Sequence, residues 1–224
     1  MSRYCLQCGK AKLACICQWI TPIFAQTQLV ILQHPSETKR PMGSAKILTL
    51  SLKDCLCFVG EDFSKHPQLN TLLSEPNVNT AVLYPSDSSL AIEDWLLLLG
   101  QSRMLSKQDK QSPAQMTGTE QSVTKQRLIL LDGTWKKAYK MWQLSSNLHH
   151  LTKVQLSADV MGNYRIRKAP SSQHLSTLEA GCYALQVLEP YIDFSSLIYC
   201  FEKMVDFHIA QMPDGVFERN YLNK

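Results

Sequence analysis

The run Arg127-Leu-Ile-Leu-Leu131 is too short for a helix and too continuously apolar for a strand with one face in water, so it reads as a buried strand. Behind it, Trp135, Ala138, Tyr139 and Trp142 fall at i, i+3, i+4 and i+7, a single helical stripe. The chain repeats this strand-then-helix unit. Thr27-Gln-Leu-Val-Ile-Leu-Gln33 is an earlier buried strand, followed by the polar loop His34–Gly43 and a short helix carrying Ala45, Leu48 and Leu52. Ala81-Val-Leu-Tyr84-Pro85 is another strand, stopped by proline, and a leucine-rich helix around Trp95 follows it from Leu90 to Leu99. Leu178, Cys182, Leu185 and Leu188 make a last stripe, with Ser176 and Glu179 at capping-box spacing at its start. Strands alternating with helices imply a layered α/β fold with a mostly parallel sheet.

From residue 101 to residue 126 the composition turns to Gln, Ser, Lys and Thr, which predicts a mobile insertion without a core of its own. The 224 residues suffice for one main domain plus an appendage, divided here into residues 1–26 and 27–224. No window approaches eighteen consecutive apolar residues, and no apolar h-region follows Met1. The expectation is a cytoplasmic protein that neither spans a membrane nor leaves the cell. A net charge of +4 is compatible with a polyanionic partner and too mild to demand one.

Residues 5–17 hold Cys5-x2-Cys8-x6-Cys15-x-Cys17, with Gly9 as a small turn residue. Four soft ligands on short loops suit a tetrahedral Zn2+ site closed on all sides, which organises structure rather than catalysing. The alternative is four unrelated buried thiols. The one-residue gap between Cys15 and Cys17 is not the C-x-x-C redox spacing. Cys55, Cys57, Cys182 and Cys200 are dispersed in apolar runs and read as core residues.

Asp132-Gly-Thr-Trp135 turns the chain from strand to helix at a strand's carboxyl end, where open α/β sheets place their ligand crevices. Gly133 permits close backbone approach, and Thr134 is placed to cap the helix. Trp135 serves either core packing or stacking on a ligand. Asp132 serves either a turn or cap, or the chemistry of the crevice. Lys136 and Lys137 stand in the first helical turn, where the macrodipole disfavours cations by about 0.3–1 kcal/mol. They form either a solvated face with Lys140 or a phosphate contact.

Taken in order, the cysteine cluster, His34-Pro-Ser-Glu37, Asp132-Gly-Thr-Trp135 and Ser176-Thr-Leu-Glu179-Ala180 resemble the DTW-domain family, named for its Asp-x-Thr-Trp motif. Each motif alone is weak, while the ordered set spans almost the whole chain. The resemblance is to bacterial tRNA-uridine aminocarboxypropyltransferases, similar in fold to the SPOUT class with its C-terminal knot. It implies S-adenosylmethionine (SAM) as co-substrate and a variable-loop uridine of tRNA as acceptor. Carried onto this chain, it places SAM against Tyr84, Pro85, Leu131, Gly133, Thr134, Trp135, Thr177 and Glu179, with Asp132 as the catalytic residue. It further implies tRNA contacts by His34, Arg40, Lys136, Tyr164, Arg165, Arg167 and Lys168. Three cations within four positions beside a tyrosine suit phosphates and base stacking, or a solvated loop.

Once SAM is assumed, the sulfonium activates three carbons and the enzyme selects one by presenting it in line. Uridine N3 carries a weakly acidic proton that must leave, and Asp132 is the candidate to receive it or to orient the ring. Two other readings stay open. A SPOUT-like RNA methyltransferase would release S-adenosylhomocysteine instead of methylthioadenosine. A non-catalytic zinc-knuckle RNA-binding protein would leave the Asp132 turn without a purpose.

Overall fold

The structure, a computed structural model, describes residues 2–108, 125–157 and 175–213. Six strands form one sheet: β1 (Gln28–Gln33), β2 (Cys55–Val59), β3 (Val78–Leu83), β4 (Leu90–Ala91), β5 (Lys125–Asp132) and β6 (Thr152–Gln155). Their spatial order is β2-β1-β5-β3-β6-β4, and every pairing is parallel. Parallel neighbours cannot be joined by tight turns, so helices make the crossovers. These are α1 (Ala45–Ser51), α2 (Pro67–Leu73), α3 (Ile92–Gln108) and α4 (Trp135–Leu144), after which α5 (Thr177–Leu188) and α6 (Ser195–Ala210) complete the described chain.

Alternation along the strands decides which helix covers which face. Leu29, Ile31, Leu128 and Leu130 join Leu48, Trp95, Leu185 and Phe201 in one core, which puts α1, α3, α5 and α6 on that side. Val30, Leu32, Val82 and Ile129 meet Leu69, Met141 and Trp142 on the other, under α2 and α4. Leu29, Val30, Ile31 and Leu32 are all fully buried because both faces are covered, which is why β1 reads as an unbroken apolar run. Each such side chain contributes about 1.5–3 kcal/mol on burial. The stripe of α5 is as expected, with Leu178, Cys182, Leu185 and Leu188 buried and both halves of the Ser176–Glu179 capping box formed.

Gly181 lets α5 lie close on the sheet, since a Cβ there would stand 2.9 Å from Leu130 Cδ1 and 3.4 Å from Leu48 Cδ1. Arg127, read from sequence as part of an apolar strand, is fully buried near the amino end of β5. Its guanidinium donates to Gln28 Oε1 at 2.5 Å, to the Leu72 carbonyl and to the Glu75 carboxylate, the pairing a buried charge requires.

Within the stretch 101–126, expected as an insertion, the described residues are helix and strand. Residues 101–108 continue α3, as a run of good helix formers allows, and Lys125 and Gln126 open β5. Residues 109–124 and 158–174 lie outside the described residues, and the C-terminal knot stays an implication of the resemblance. No described helix is long and apolar enough to cross a membrane.

Candidate active site

Asp132 closes β5 in register with Gln33 at the end of β1. Gln33 Nε2 donates to Asp132 Oδ2 at 2.7 Å, and Thr177 Oγ1, on the first residue of α5, donates to Oδ1 at 2.6 Å. The backbone N–H of His34 donates to the Asp132 carbonyl at 2.9 Å. Both carboxylate oxygens therefore accept charge-assisted bonds at the positive end of α5, and the residue is only 7% exposed. The helix that follows Asp132 is capped by Thr134, without a side-chain bond. Asp132 thus does not cap α4 and instead ties β1, β5 and α5 together. Gln33, its strand-end partner, carries no motif signal beyond the register that only pairing reveals.

At the carboxyl ends of β3, β5 and β6 a cavity of about 510 Å³ opens between α4 and α5. The chain leaves β3 toward α3 on one face and β5 toward α4 on the other, the divergence that makes crevices in open α/β sheets. Its volume is in the range of small-molecule sites. Six residues implied for SAM line it: Tyr84, Pro85, Leu131, Gly133, Trp135 and Thr177. Thr134 and Glu179 do not. Glu179 is spent on the capping box, accepting the Ser176 N–H at 2.8 Å while its own N–H donates to Ser176 Oγ at 3.2 Å. Leu83, Leu130, Leu156 and Leu175 extend an apolar wall that sequence reading did not assign, and no charged side chain is among the described lining.

Trp135 is 51% exposed beside this cavity, so it is not a core residue. The buried stripe of α4 is Ala138, Met141 and Trp142, while Tyr139 is exposed, because the first turn overhangs the end of the sheet instead of lying on it. Tyr84 stacks on Trp142 with ring centroids 5.5 Å apart and planes 12° from parallel.

The His34–Glu37 loop is fastened to α4. Lys137 Nζ donates to Ser36 Oγ at 2.5 Å and to Glu37 Oε1 at 2.8 Å, and Arg40 Nε pairs with Glu37 Oε2 at 2.8 Å. Glu61 accepts from Lys140 at 2.8 Å and bonds His34 Nε2 at 2.6 Å, and these two neighbours hold its carboxyl below the usual range. His34 Nδ1 meets the Ser36 N–H at 3.1 Å, so both ring nitrogens are engaged. Of the two lysines that break the dipole rule at this helix start, Lys137 is answered by Glu37, while Glu61 pairs with Lys140 one turn further on. Gly133 gives its space to its own chain, since a Cβ would lie 3.1 Å from Lys137 Cβ and 3.6 Å from His34 Cβ. Of the residues implied for tRNA, His34 and Arg40 are thus committed to carboxylates, and Lys136 is exposed with no bonded partner among the described residues. Tyr164, Arg165, Arg167 and Lys168 lie outside the described residues.

The N-terminal cysteines converge. Cys5 and Cys17 sulfurs stand 3.7 Å apart, Cys8 and Cys15 3.8 Å, and all four lie within 4.8 Å of one another. A tetrahedron with Zn–S bonds of about 2.3 Å has edges of about 3.8 Å, so the four thiols can hold a metal ion. Gly9 takes a φ of +72°, the left-handed conformation that closes the turn after Cys8. Backbone N–H groups of Cys8 and Gln7 draw the Cys5 thiol down to about 6, whereas burial pushes Cys17 up to about 12. Cys8 and Ile16 join the same core as the sheet, and Lys10 Nζ donates to the Pro41 carbonyl at 2.6 Å. Burial likewise pushes Cys182 up to about 12 and Cys57 and Cys200 up to about 11, as expected for inert core thiols.

An open parallel sheet with a ligand-sized cavity at its carboxyl edge, a bonded carboxylate beside it and a four-thiol cluster defines an α/β protein with a crevice of small-molecule size. The chain belongs to the DTW-domain family, whose domain model matches residues 2–209. Over 192 residues it is 32% identical to tRNA-uridine aminocarboxypropyltransferase 2 of Drosophila melanogaster, covering 83% of this chain and 66% of that protein. It is 27% identical over 191 residues to the protein of the same name in Macaca fascicularis, covering 83% and 56%. It is 26% identical over 169 residues to tRNA-uridine aminocarboxypropyltransferase 1 of Xenopus laevis, covering 68% and 55%. The chain thus spans between about half and two thirds of the length of these animal relatives, where the motifs alone pointed to bacterial ones. No solved structure matches the chain at a significant level.

Proposed function

We propose that this protein transfers the 3-amino-3-carboxypropyl group of SAM to N3 of a tRNA uridine, releasing methylthioadenosine. The observation that carries this reading is the Asp132–Thr177 bond on the rim of the cavity, in a chain whose relatives bear that activity in their names. The apolar wall suits the adenosine, and the exposed Trp135 indole suits the sulfonium, a cation that an aromatic face attracts by about 0.5–2 kcal/mol. The variable-loop uridine, the cytoplasmic location and the tRNA-contacting segment around Arg165 and Arg167 belong to the same reading.

Cys5, Cys8, Cys15 and Cys17 would hold a structural Zn2+, which supplies folding free energy and leaves no coordination position for substrate. The knuckle packs on α6 and not on the cavity, which agrees with that division of labour.

Mass spectrometry of nucleosides from tRNA incubated with the protein and SAM tests the reading. The expected result is an aminocarboxypropyl increment on uridine with release of methylthioadenosine. A methyl increment with S-adenosylhomocysteine would convert the protein into a methyltransferase, and unmodified tRNA would remove the enzymatic reading.

A further inference from the structure

Thr177 both lines the cavity and donates its hydroxyl proton to Asp132 at 2.6 Å. Asp132 is only 7% exposed and stands behind Thr177, with Gln33 occupying its other oxygen. A carboxylate only accepts, so the hydroxyl hydrogen points at Asp132 and the lone pairs of Oγ1 remain for a donor in the cavity. A hydroxyl that donates to a carboxylate is also polarised into a better acceptor. The group that meets a donor in the cavity is therefore the threonine, and the carboxylate acts through it.

We propose that Thr177 is a catalytic residue that relays the uridine N3 proton to Asp132. The inference rests on the transfer reaction proposed above and names the atom that touches the base. The N3 proton passes to Thr177 Oγ1 while the hydroxyl proton passes to Asp132 Oδ1. The nitrogen lone pair forms a bond to the terminal methylene of the aminocarboxypropyl arm, and the C–S bond breaks with its electron pair going to sulfur. The sulfonium charge and the carboxylate charge disappear together, leaving neutral methylthioadenosine and a protonated Asp132. Proton loss to solvent then restores the carboxylate. Thr177 also belongs to the first turn of α5, whose geometry is fixed by the Ser176–Glu179 box, so the relay oxygen is held on a rigid element.

The test is single-turnover transfer at saturating SAM by Thr177→Val, Thr177→Ser and wild type. Each is measured on ordinary tRNA and on tRNA made with 5-fluorouracil, whose N3 proton is more acidic. Thr177→Ser keeps the hydroxyl and should stay within about tenfold of wild type, while Thr177→Val should fall by about 10²-fold or more. The loss in Thr177→Val should shrink on the fluorinated tRNA, because a proton that leaves more easily needs less help. SAM affinity of Thr177→Val is measured by calorimetry in parallel, so that each variant is compared at its own saturating SAM and a lost co-substrate contact is separated from a lost relay. A Thr177→Val rate equal to wild type, or a loss of the same size on both tRNAs, would overturn the relay while leaving the transfer reaction standing. Absence of aminocarboxypropyl product from the wild type on ordinary tRNA would overturn both.

Discussion

Gln33 and Asp132, 99 residues apart in sequence, end adjacent parallel strands in register, and the amide of one is bonded to the carboxylate of the other at 2.7 Å. That bond fixes which way each polar group points. Because the amide nitrogen faces Asp132, a carboxamide at position 132 can be accommodated by rotating Gln33 to present its oxygen instead.

Asp132→Asn should therefore fold, with a stability loss of about 1 kcal/mol from weaker uncharged bonds. Its single-turnover transfer should fall by about 10²–10⁴-fold, the range for losing a positioned base. Rates and thermal melts measured on the same preparation check this, and a near-normal rate would return Asp132 to a purely structural clasp.

Trp135→Ala should weaken SAM binding by about 5- to 30-fold, the equivalent of about 1–2 kcal/mol of stacking and cation contact. The indole is half exposed, so thermal stability should barely change. Calorimetric titration with SAM reads the first effect and a melt the second.

Protein prepared without chelator should contain about one zinc per chain, and Cys8→Ser should contain less. Because Cys8 and Ile16 belong to the core shared with the sheet, the loss should appear as a lower melting temperature of the whole molecule before it appears in transfer chemistry. Elemental analysis finding no zinc in the wild type would remove the metal from the knuckle.

Gly181 sets two effects against each other. Alanine gains about 1 kcal/mol in helix propensity and presses only on the flexible tip of Leu130, so Gly181→Ala should be close to neutral. Gly181→Val adds branches against Leu130 and Leu48 and should cost about 1–3 kcal/mol, lowering the melting temperature by several degrees. Differential scanning calorimetry of the pair decides which effect wins.

The strands of the centre are legible where burial on both faces leaves an apolar run, over Leu29–Leu32 in β1 and Leu128–Leu130 in β5, and in β3 only at its Ala81–Leu83 end, since Val78, Asn79 and Thr80 are half-buried. The short, partly exposed β4 and β6 are not, since Leu90–Ala91 and Thr152–Gln155 are stabilised by their neighbours in the sheet and not by their own pattern. The same logic divides the site. Asp132, Gly133, Trp135 and Thr177 sit in motifs, whereas Gln33 and the leucines of the cavity wall acquire meaning only when distant strand ends are brought together. Trp135 admits two readings in sequence because helical spacing alone cannot say where a sheet ends.

β5 lies between β1 and β3, both of which precede it in the chain. As the polypeptide emerges from the ribosome, β1 and β3 have no direct partner in each other, and the seam between them stays open until residue 132 has been made. The strand that closes the seam is also the one that carries Asp132. Late insertion of a central parallel strand is intrinsically slow, because long loops must be closed before any pairing rewards them. A nascent or truncated chain stopping short of β5 would leave one edge of β1 and both edges of β3 unpaired and would lack Asp132, so the sheet cannot close before that carboxylate is present.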